Sequence, residues 1–303
     1  MRVVLFFLDG VGLAPAGPAN PLSTTPMPCL QGLLDGQALT LAAVGKHSRT
    51  TLLALDATLG VPGEPQSATG QTTLFTGINA PQAVGRHVRG FPTKPLRRLL
   101  QQEGLLQKVL RLGKTALFLN SYRPHCFPLV STDGGTYSVT TWMNYYAGLP
   151  FHTLDDMVDG RGVCMDITNE YLRTELGCEV DIIAPEKAGR ILAQQSHRVD
   201  FLLYEHFLTD IFAHKRDKDK ITSLLVTIDR FLAGILAHLD LQETLLMVTS
   251  DHGNLEDLST PLHTRNPVPL LLCGAGQDDL PPLADLTAVT PFILERLTRG
   301  KHG

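Results

Sequence analysis

Acidic and histidine side chains stand just beyond predicted strands in this sequence. The apolar run Thr244–Val248 is typical of a buried parallel strand, and Asp251 and His252 follow it closely. Near the start of the chain, Asp9 closes the apolar run Val3–Leu8. Because open α/β sheets place their chemistry at the carboxyl ends of parallel strands, we expect these three side chains to meet at one edge.

Further histidine and aspartate residues complete a set that could bind metal. His263 lies eleven residues after His252, and Asp210 and His214 are four residues apart. A spacing of four places two side chains on one helical face or around one tight turn. Three Asp and three His at strand ends are what a site with two divalent metal ions requires. Mixed carboxylate and imidazole ligands favour Mn or Zn, with Mg as a further candidate.

A hydroxyl nucleophile is the next requirement for chemistry at such a site. The Gly- and Pro-rich turn Gly60–Pro65 precedes Ser67, which opens a short segment that can be helical and ends at Gly77. A Ser in this position is either a helix cap or a nucleophile. A Ser hydroxyl attacks poorly at neutral pH unless a base or a metal stabilises its alkoxide. Thr69 is the competing nucleophile.

Composition limits the classes of partner. A formal net charge of -4 with 18% charged residues leaves no basic stripe for a nucleic-acid backbone, so no nucleic-acid partner is expected. The five scattered cysteines lack a Cys-x-x-Cys pair, which predicts reduced thiols and a cytoplasmic protein. No apolar run approaches the roughly 18 residues that span a bilayer, so no membrane partner is expected. The oligomeric state is left open.

The order of elements predicts an α/β fold, with a mainly parallel sheet between helices. Strand and helix patterns alternate over residues 1–119 and 178–303, which we assign to one core. Within that core, the spacing of apolar residues predicts a helix over Pro95–Leu112 and a long amphipathic helix over Ile221–Leu239. Residues 120–177 show no long helical pattern and are predicted to form a small inserted cap.

Four further side chains are candidates for binding a substrate. Arg86, His87 and Arg89 follow the Ser67 segment and could clamp a charged group, since Arg binds phosphate through two hydrogen bonds at once. Arg161, between two glycines of the predicted cap, is a similar candidate. The alternative interpretation is that these residues belong to solvated loops.

Taken together, these motifs resemble the alkaline phosphatase superfamily of metalloenzymes, and within it the branch of cofactor-independent phosphoglycerate mutase and phosphopentomutase. The resemblance lies in five runs: Asp9-Gly10-Val11-Gly12, Gln66-Ser67-Ala68-Thr69-Gly70, Asp210-Ile211-Phe212-Ala213-His214, Asp251-His252-Gly253-Asn254 and His263-Thr264-Arg265-Asn266-Pro267-Val268-Pro269. It implies two sets of metal ligands, namely Asp210, His214 and His263 in one and Asp9, Asp251, His252 and the hydroxyl of Ser67 in the other.

The resemblance also implies phosphoryl transfer on a small phosphorylated metabolite. The mutases have Asn before the Ser and Glu after it, whereas Gln66 and Ala68 stand there in this chain, and Ala is like the alkaline phosphatases. Together with the small cap, this favours hydrolysis of phosphate esters through a phosphoserine at Ser67. A phosphomutase is the alternative. A protein that keeps its metals for structure or sensing is an alternative of another class, against which the retained Ser67 argues.

Overall fold

A seven-stranded sheet with helices on both faces forms the centre of the computed structural model, which describes residues 1–123 and 136–299. The strands are β1 (Arg2–Leu8), β2 (Gly45–Lys46), β3 (Thr50–Leu55), β4 (Ala116–Phe118), β5 (Ser121–Tyr122), β6 (His152–Thr153), β7 (Phe201–His206), β8 (Thr244–Thr249) and β9 (Val268–Gly274). The helices are α1 (Pro21–Thr24), α2 (Pro28–Leu33), α3 (Ser67–Thr76), α4 (Ala80–Val84), α5 (Lys94–Glu103), α6 (Leu105–Arg111), α7 (Val139–Ala147), α8 (Leu154–Val158), α9 (Glu170–Thr174), α10 (Pro185–Ser196), α11 (Leu208–Lys215), α12 (Lys218–Leu236) and α13 (Val289–Thr298), with 3-10 turns at Leu41–Ala43 and Leu286–Ala288.

The sheet is mixed, with the strand order β2-β3-β9-β8-β1-β7-β4. Strands β8, β1, β7 and β4 pair in parallel, whereas β9 is antiparallel to β8 and to β3, and β3 is antiparallel to β2. The α/β class is confirmed, and the parallel arrangement holds for the half that includes β1 and β8. No helix lies between β8 and β9, so the chain returns directly and the two strands run antiparallel.

Strand β1 is buried on both of its faces, which explains why its sequence is continuously apolar. One face contributes to a core with α2, α10 and α12, and the other to a core with α3, α5, α6 and α13. The side chains alternate between these cores, with Val4, Phe6 and Leu8 on the first face and Val3, Leu5 and Phe7 on the second. Polar side chains therefore find space only where the strand ends.

Of the two predicted helices, one is confirmed by the structure and the other is not. The long amphipathic helix is confirmed as α12, and α10 buries apolar residues against the same core. The single helix predicted over Pro95–Leu112 is wrong, because Gly104 takes an extended conformation (φ -61°, ψ 137°) and separates α5 from α6. The break lets both helices contact α7. Among the described helices, none combines the length and hydropathy of a membrane span.

The predicted cap contains more regular structure than its sequence pattern indicated. A nine-residue helix, α7, places Val139, Trp142 and Met143 in the second core. Its β-branched and aromatic residues have modest helix propensity, which hid it from the sequence pattern. The remainder includes the small parallel sheet β5–β6, α8, α9 and a local apolar cluster around Met157 and Leu172. The division into core and cap stays a prediction, and residues 124–135 of the cap lie outside the described part.

Close packing of α3 against the loop after β8 generates a prediction for Gly70. A Cβ atom at this position would lie 2.7 Å from the carbonyl oxygen of Asp251, which is backbone and cannot rotate away. We expect Gly70→Ala to lower the free energy of unfolding by about 1–3 kcal/mol, measured by denaturant titration. The matched control is Gly32→Ala in α2, where a Cβ meets nothing within 4 Å and should raise stability by up to about 1 kcal/mol. Equal effects would contradict the close contact.

Candidate active site

Three neighbouring parallel strands bring the predicted acidic and histidine residues to one edge of the sheet. Strand β1 lies between β8 and β7, and Asp9 follows β1 while Asp251 and His252 follow β8. Asp210 and His214 lie one turn apart on α11, which begins directly after β7. Because parallel neighbours end on the same side, residues far apart in sequence become adjacent there.

The first group consists of Asp9, Asp251 and His252, all buried, with ligand atoms within 4.8 Å of one another. His252 Nε2 lies 3.2 Å from Asp9 Oδ1 and 3.6 Å from Asp251 Oδ2. Both of these carboxylate oxygens are buried, and neither accepts a hydrogen bond from the residues that the structure describes. Buried carboxylate oxygens without donors are costly, and a divalent cation between them would satisfy both. The side-chain amide of Gln71 donates a hydrogen bond to the other carboxylate oxygen of Asp9, Oδ2, at 3.1 Å.

The second group consists of Asp210, His214 and His263, also within 4.8 Å. The Nε2 atoms of the two histidines are 3.0 Å apart, at 3.3 and 3.5 Å from the Asp210 carboxylate. Their Nδ1 atoms donate to the carbonyl oxygens of Pro261 and Pro65, at 3.1 and 2.8 Å. Carbonyl oxygens can only accept, so in the neutral form of each ring the proton lies on Nδ1 and Nε2 presents a lone pair, which is the tautomer that a metal ligand needs.

The two groups lie side by side. The rings of His252 and His263 stack with their centroids 3.8 Å apart and an angle of 15° between their planes. The structure thus brings all six predicted Asp and His residues together and divides them as the sequence resemblance implied. The donor set, three carboxylates and three imidazoles in two adjacent groups, fits two divalent cations.

Ser67 is the first residue of α3, and its Oγ lies 2.9 Å from His252 Nε2. Within the described residues, the backbone N–H groups of Ser67 and Ala68 have no hydrogen-bond acceptor. A helix N-terminus with free N–H groups favours a bound anion such as a phosphoryl group. Thr69 is fully buried, and its hydroxyl donates to Gln66 O while accepting from the N–H of Val88. This arrangement favours Ser67 over Thr69 as the nucleophile.

Electrostatics in the first group favour added positive charge. Burial, reinforced by the charge of Asp251, raises the pKa of Asp9 well above its usual value, and burial likewise raises the pKa of Asp251. Burial alone would lower the pKa of His252, but the neighbouring Asp251 and Asp9 outweigh it and raise that pKa to about 10. In the protein without metal, His252 is therefore protonated, and its Nε2–H group donates a hydrogen bond to the hydroxyl oxygen of Ser67.

The second group has a different balance. Burial acts to raise the pKa of Asp210, yet the hydrogen bond to His214 and the charges of His252 and His263 hold it well below the usual range. The hydrogen bond to Asp210 raises the pKa of His214. Burial and the charge of His252 lower the pKa of His263 to about 4, so this imidazole is neutral and ready to act as a ligand.

Glu256 supports the site and was not predicted from the sequence. Its buried carboxylate accepts hydrogen bonds from the backbone N–H groups of Gly12 and Asn254, both at 2.8 Å. It also accepts from the hydroxyl of Thr264 and, at 3.1 Å, from the amide of Asn266. Three loops that carry site residues are therefore held by one side chain. An isolated acidic residue in a loop offers no pattern by which this role could be predicted.

Two more supporting contacts explain residues in the motifs quoted above. The Asn254 amide donates to Asp210 Oδ1 at 2.7 Å and so orients this carboxylate. Gly10 has a φ of +70°, and a Cβ there would lie 2.6 Å from the same oxygen, so this position needs glycine.

The site opens into a cleft of about 760 Å³. Among its lining residues are Ser67, Asp210, His214 and His263 together with Arg86, His87 and Arg89. Arg161, the fourth substrate-binding candidate, does not line this cleft. Its guanidinium group is bound within the predicted cap, to Asp156 at 2.7 Å and to Asp159 at 2.8 Å.

Comparison with known proteins is consistent with this geometry. The model of the Metalloenzyme superfamily matches residues 183–299. The phosphopentomutase of Desulfitobacterium hafniense is 24% identical over 231 residues, which cover 70% of this chain and 54% of that protein. The phosphoglycerate mutase (2,3-bisphosphoglycerate-independent) of Rhodopseudomonas palustris is 31% identical over 38% of this chain and 24% of its own length. The cold-active alkaline phosphatase of Shewanella sp. shares the fold, with a TM-score of 0.56, 12% identity and coverage of 99% and 100%.

The chain is thus similar to metalloenzymes of the alkaline phosphatase-like superfamily. The segment matched by the superfamily model contains five of the six Asp and His residues of the site, and Asp9 and Ser67 lie outside it. The chain spans about half the length of the phosphopentomutase and about a quarter of the length of the phosphoglycerate mutase. The superfamily resemblance inferred from the motifs is thereby confirmed.

A further buried carboxylate, Glu205, lies beside the site. Glu205, in β7, accepts a hydrogen bond at 2.6 Å from the Thr140 hydroxyl of α7. Burial, together with the charge of Asp9, raises the pKa of Glu205 to about 8, from a usual value of 4.5. Folding therefore keeps a proton on this side chain that the unfolded chain would lose near pH 4.5. The associated stability is complete below pH 4.5 and is lost as the pH rises towards 8.

This raised pKa predicts how the stability of the metal-free protein depends on pH. Between pH 6 and pH 8, Glu205 should lower the free energy of unfolding by about 2 kcal/mol. We expect Glu205→Gln, which can still accept from Thr140, to remove this part of the decrease in urea titrations with chelator present. Glu170→Gln, an exposed control, should leave it unchanged. An unaltered decrease in Glu205→Gln would contradict the assignment.

Proposed function

We propose that this chain is a two-metal phosphoryl-transfer enzyme that hydrolyses phosphate monoesters of small metabolites through a phosphoserine at Ser67. The observation that carries the proposal is the position of Ser67 Oγ, at a helix N-terminus and 2.9 Å from His252 Nε2. A nucleophile, an anion site and a cation-binding group thus share one point in the cleft.

Two observations support the binding of metal ions. Among the described residues, one buried oxygen each of Asp9 and Asp251 accepts no hydrogen bond. The Nε2 atoms of His214 and His263 also lie close together, 3.0 Å apart. One ion would be held by Asp9, Asp251, His252 and Ser67, and the other by Asp210, His214 and His263. Mixed nitrogen and oxygen donors favour Mn or Zn, with Mg as a further candidate. When bound, two divalent ions supply positive charge that stabilises the attacking and leaving oxygens.

The protein groups would orient the ester and supply the nucleophile. The free backbone N–H groups of Ser67 and Ala68 would donate hydrogen bonds to the phosphoryl oxygens. Arg86 and Arg89, which line the cleft, would add positive charge. Ser67 Oγ gives its proton to solvent and bonds to phosphorus while the bond from phosphorus to the ester oxygen breaks, and the departing alkoxide takes a proton from solvent. A water molecule then attacks phosphorus and gives a proton to solvent, the bond to Ser67 Oγ breaks, the serine oxygen takes up a proton, and inorganic phosphate leaves.

A phosphomutase is the second candidate, because relatives named as phosphopentomutase and phosphoglycerate mutase match this chain. A mutase must return the phosphoryl group to another oxygen of the same bound molecule and keep it from water. Two observations support hydrolysis instead. Gln66 and Ala68 stand where the mutases have Asn and Glu, and the cap cation Arg161 is already bound by Asp156 and Asp159.

The ligand assignment predicts the metal content of a His263 variant. His263→Ala removes one of three ligands of the second group, so we expect the affinity of that ion to fall roughly a hundredfold and the bound metal to fall from two ions towards one. Elemental analysis after dialysis and calorimetric titration with Zn or Mn would measure both. His238→Ala, at an exposed histidine of no metal group among the described residues, is the control. Two tightly bound ions in His263→Ala would refute the assignment.

The proposed reaction predicts inorganic phosphate as the product. A panel of phosphorylated metabolites, tested with Mn and Zn separately, should release phosphate, and phosphorus NMR of the Zn-loaded enzyme should show no isomeric ester. Ser67→Ala should lower turnover at least a thousandfold and abolish the phosphopeptide that mass spectrometry maps to Ser67. A new phosphoester isomer without inorganic phosphate would establish the mutase reaction instead. Metal binding without turnover of any ester would favour the non-catalytic alternative.

A further inference from the structure

Two large apolar side chains stand exposed in the same cleft as Ser67. Phe91 is 53% exposed and Leu262 is 62% exposed, and both line the cleft. Exposed apolar surface beside a candidate nucleophile is unfavourable in water and is typical of a surface that a ligand covers. A phosphoryl group alone is charged and gains nothing from such surface. Phe91 and Leu262 would therefore contact the organic part of the substrate, to which the phosphoryl group is attached.

The segment that carries Phe91 is fixed to the nucleophile helix. The N–H of Thr69 donates to Val88 O at 3.3 Å, and the N–H of Val88 donates to Thr69 Oγ1 at 3.1 Å. His87 Nε2 adds a hydrogen bond to Val61 O at 3.3 Å. These contacts hold residues 86–91 beside the first turn of α3 without using the Phe91 side chain. Phe91 can therefore be replaced without removing the anchors.

The charged side chains of the cleft limit what else the substrate carries. Arg86 and Arg89 have no carboxylate partner among the described residues and are available to a phosphoryl group. Glu64 also lines the cleft, and its carboxylate can accept hydrogen bonds from hydroxyl groups but repels a second anion. The cleft volume of about 760 Å³ lies within the roughly 300–1,000 Å³ of sites that enclose whole small molecules.

On the basis of the function proposed above, we propose that the substrate is a nucleoside monophosphate, whose aromatic base stacks on Phe91. The phosphoryl group lies at Ser67 between Arg86 and Arg89, the sugar hydroxyls face Glu64, and Leu262 covers an edge of the base. An aromatic side chain stacks on any nucleobase, whatever hydrogen-bonding groups that base carries. Phe91 would therefore recognise the flat ring of the base and not its substituents.

The sharpest test compares adenosine 5′-monophosphate with ribose 5-phosphate, which share the phosphorylated sugar and differ by the base. The native enzyme should turn over the nucleotide with roughly tenfold higher kcat/KM, and Phe91→Ala should bring the ratio of the two values towards one. Phe91→Tyr should keep the ratio. The control Leu112→Ala, at an apolar residue that is 43% exposed outside the cleft lining, should change neither value.

Binding provides a second readout that does not need turnover. Calorimetry on the Mn-loaded Ser67→Ala protein should show tighter binding of the nucleotide than of the sugar phosphate, and the added change Phe91→Ala should remove the difference. A ratio and an affinity difference that Phe91→Ala leaves intact would overturn the inference. If ribose 5-phosphate releases phosphate but the base makes no difference, only this inference fails. If neither these two esters nor any other ester of the panel reacts, the proposed function fails, and the binding comparison still decides whether Phe91 recognises the ring.

Discussion

Three carboxylates share one buried edge of the sheet, and their mutual repulsion is the constraint on which the rest of the site depends. Burial raises the pKa of both Asp9 and Asp251, the charge of Asp251 adds to the shift of Asp9, and the charge of Asp210 adds to both. Asp251 and Asp9 together draw a proton onto His252. Such a cluster is stable only with protons or cations between its members. The parallel order β8-β1-β7 creates the cluster, because the central strand and its two neighbours each end in an acidic residue or lead to one. Folding and cation binding are therefore linked in this protein.

A second carboxylate system keeps this edge in shape. Glu256 binds the loops around Gly12, Asn254 and Thr264 through four hydrogen bonds from one buried side chain. None of these donors is itself a proposed metal ligand, yet each lies within a few residues of one. The loops after β1 and β8 and before β9 thus act as a single unit. The metal groups are held by a support that is independent of the ions.

The sequence placed Asp9, Asp251 and His252 at one edge because each follows closely on a continuous apolar run, and such runs mark buried strands. Their assembly at one edge follows from parallel pairing, although their role as ligands stays a prediction. The antiparallel β9 and the break at Gly104 were missed, because both depend on how distant segments pack rather than on local spacing. Helix α7 was missed because its β-branched and aromatic residues resemble a strand. Glu256 and Gln71 act only through partners brought close by folding, so no local pattern marks them.

The pairing of Thr69 with Val88 has a consequence for how the substrate range of this protein could diverge. Val88 contributes only its backbone N–H and carbonyl oxygen to this contact, and Thr69 contributes its N–H and hydroxyl, so the contact does not depend on which side chains occupy residues 86, 89 and 91. Evolution can therefore exchange those side chains one at a time while the serine, its helix and both metal groups keep their positions. A chain built in this way separates the choice of substrate from the chemistry performed on it.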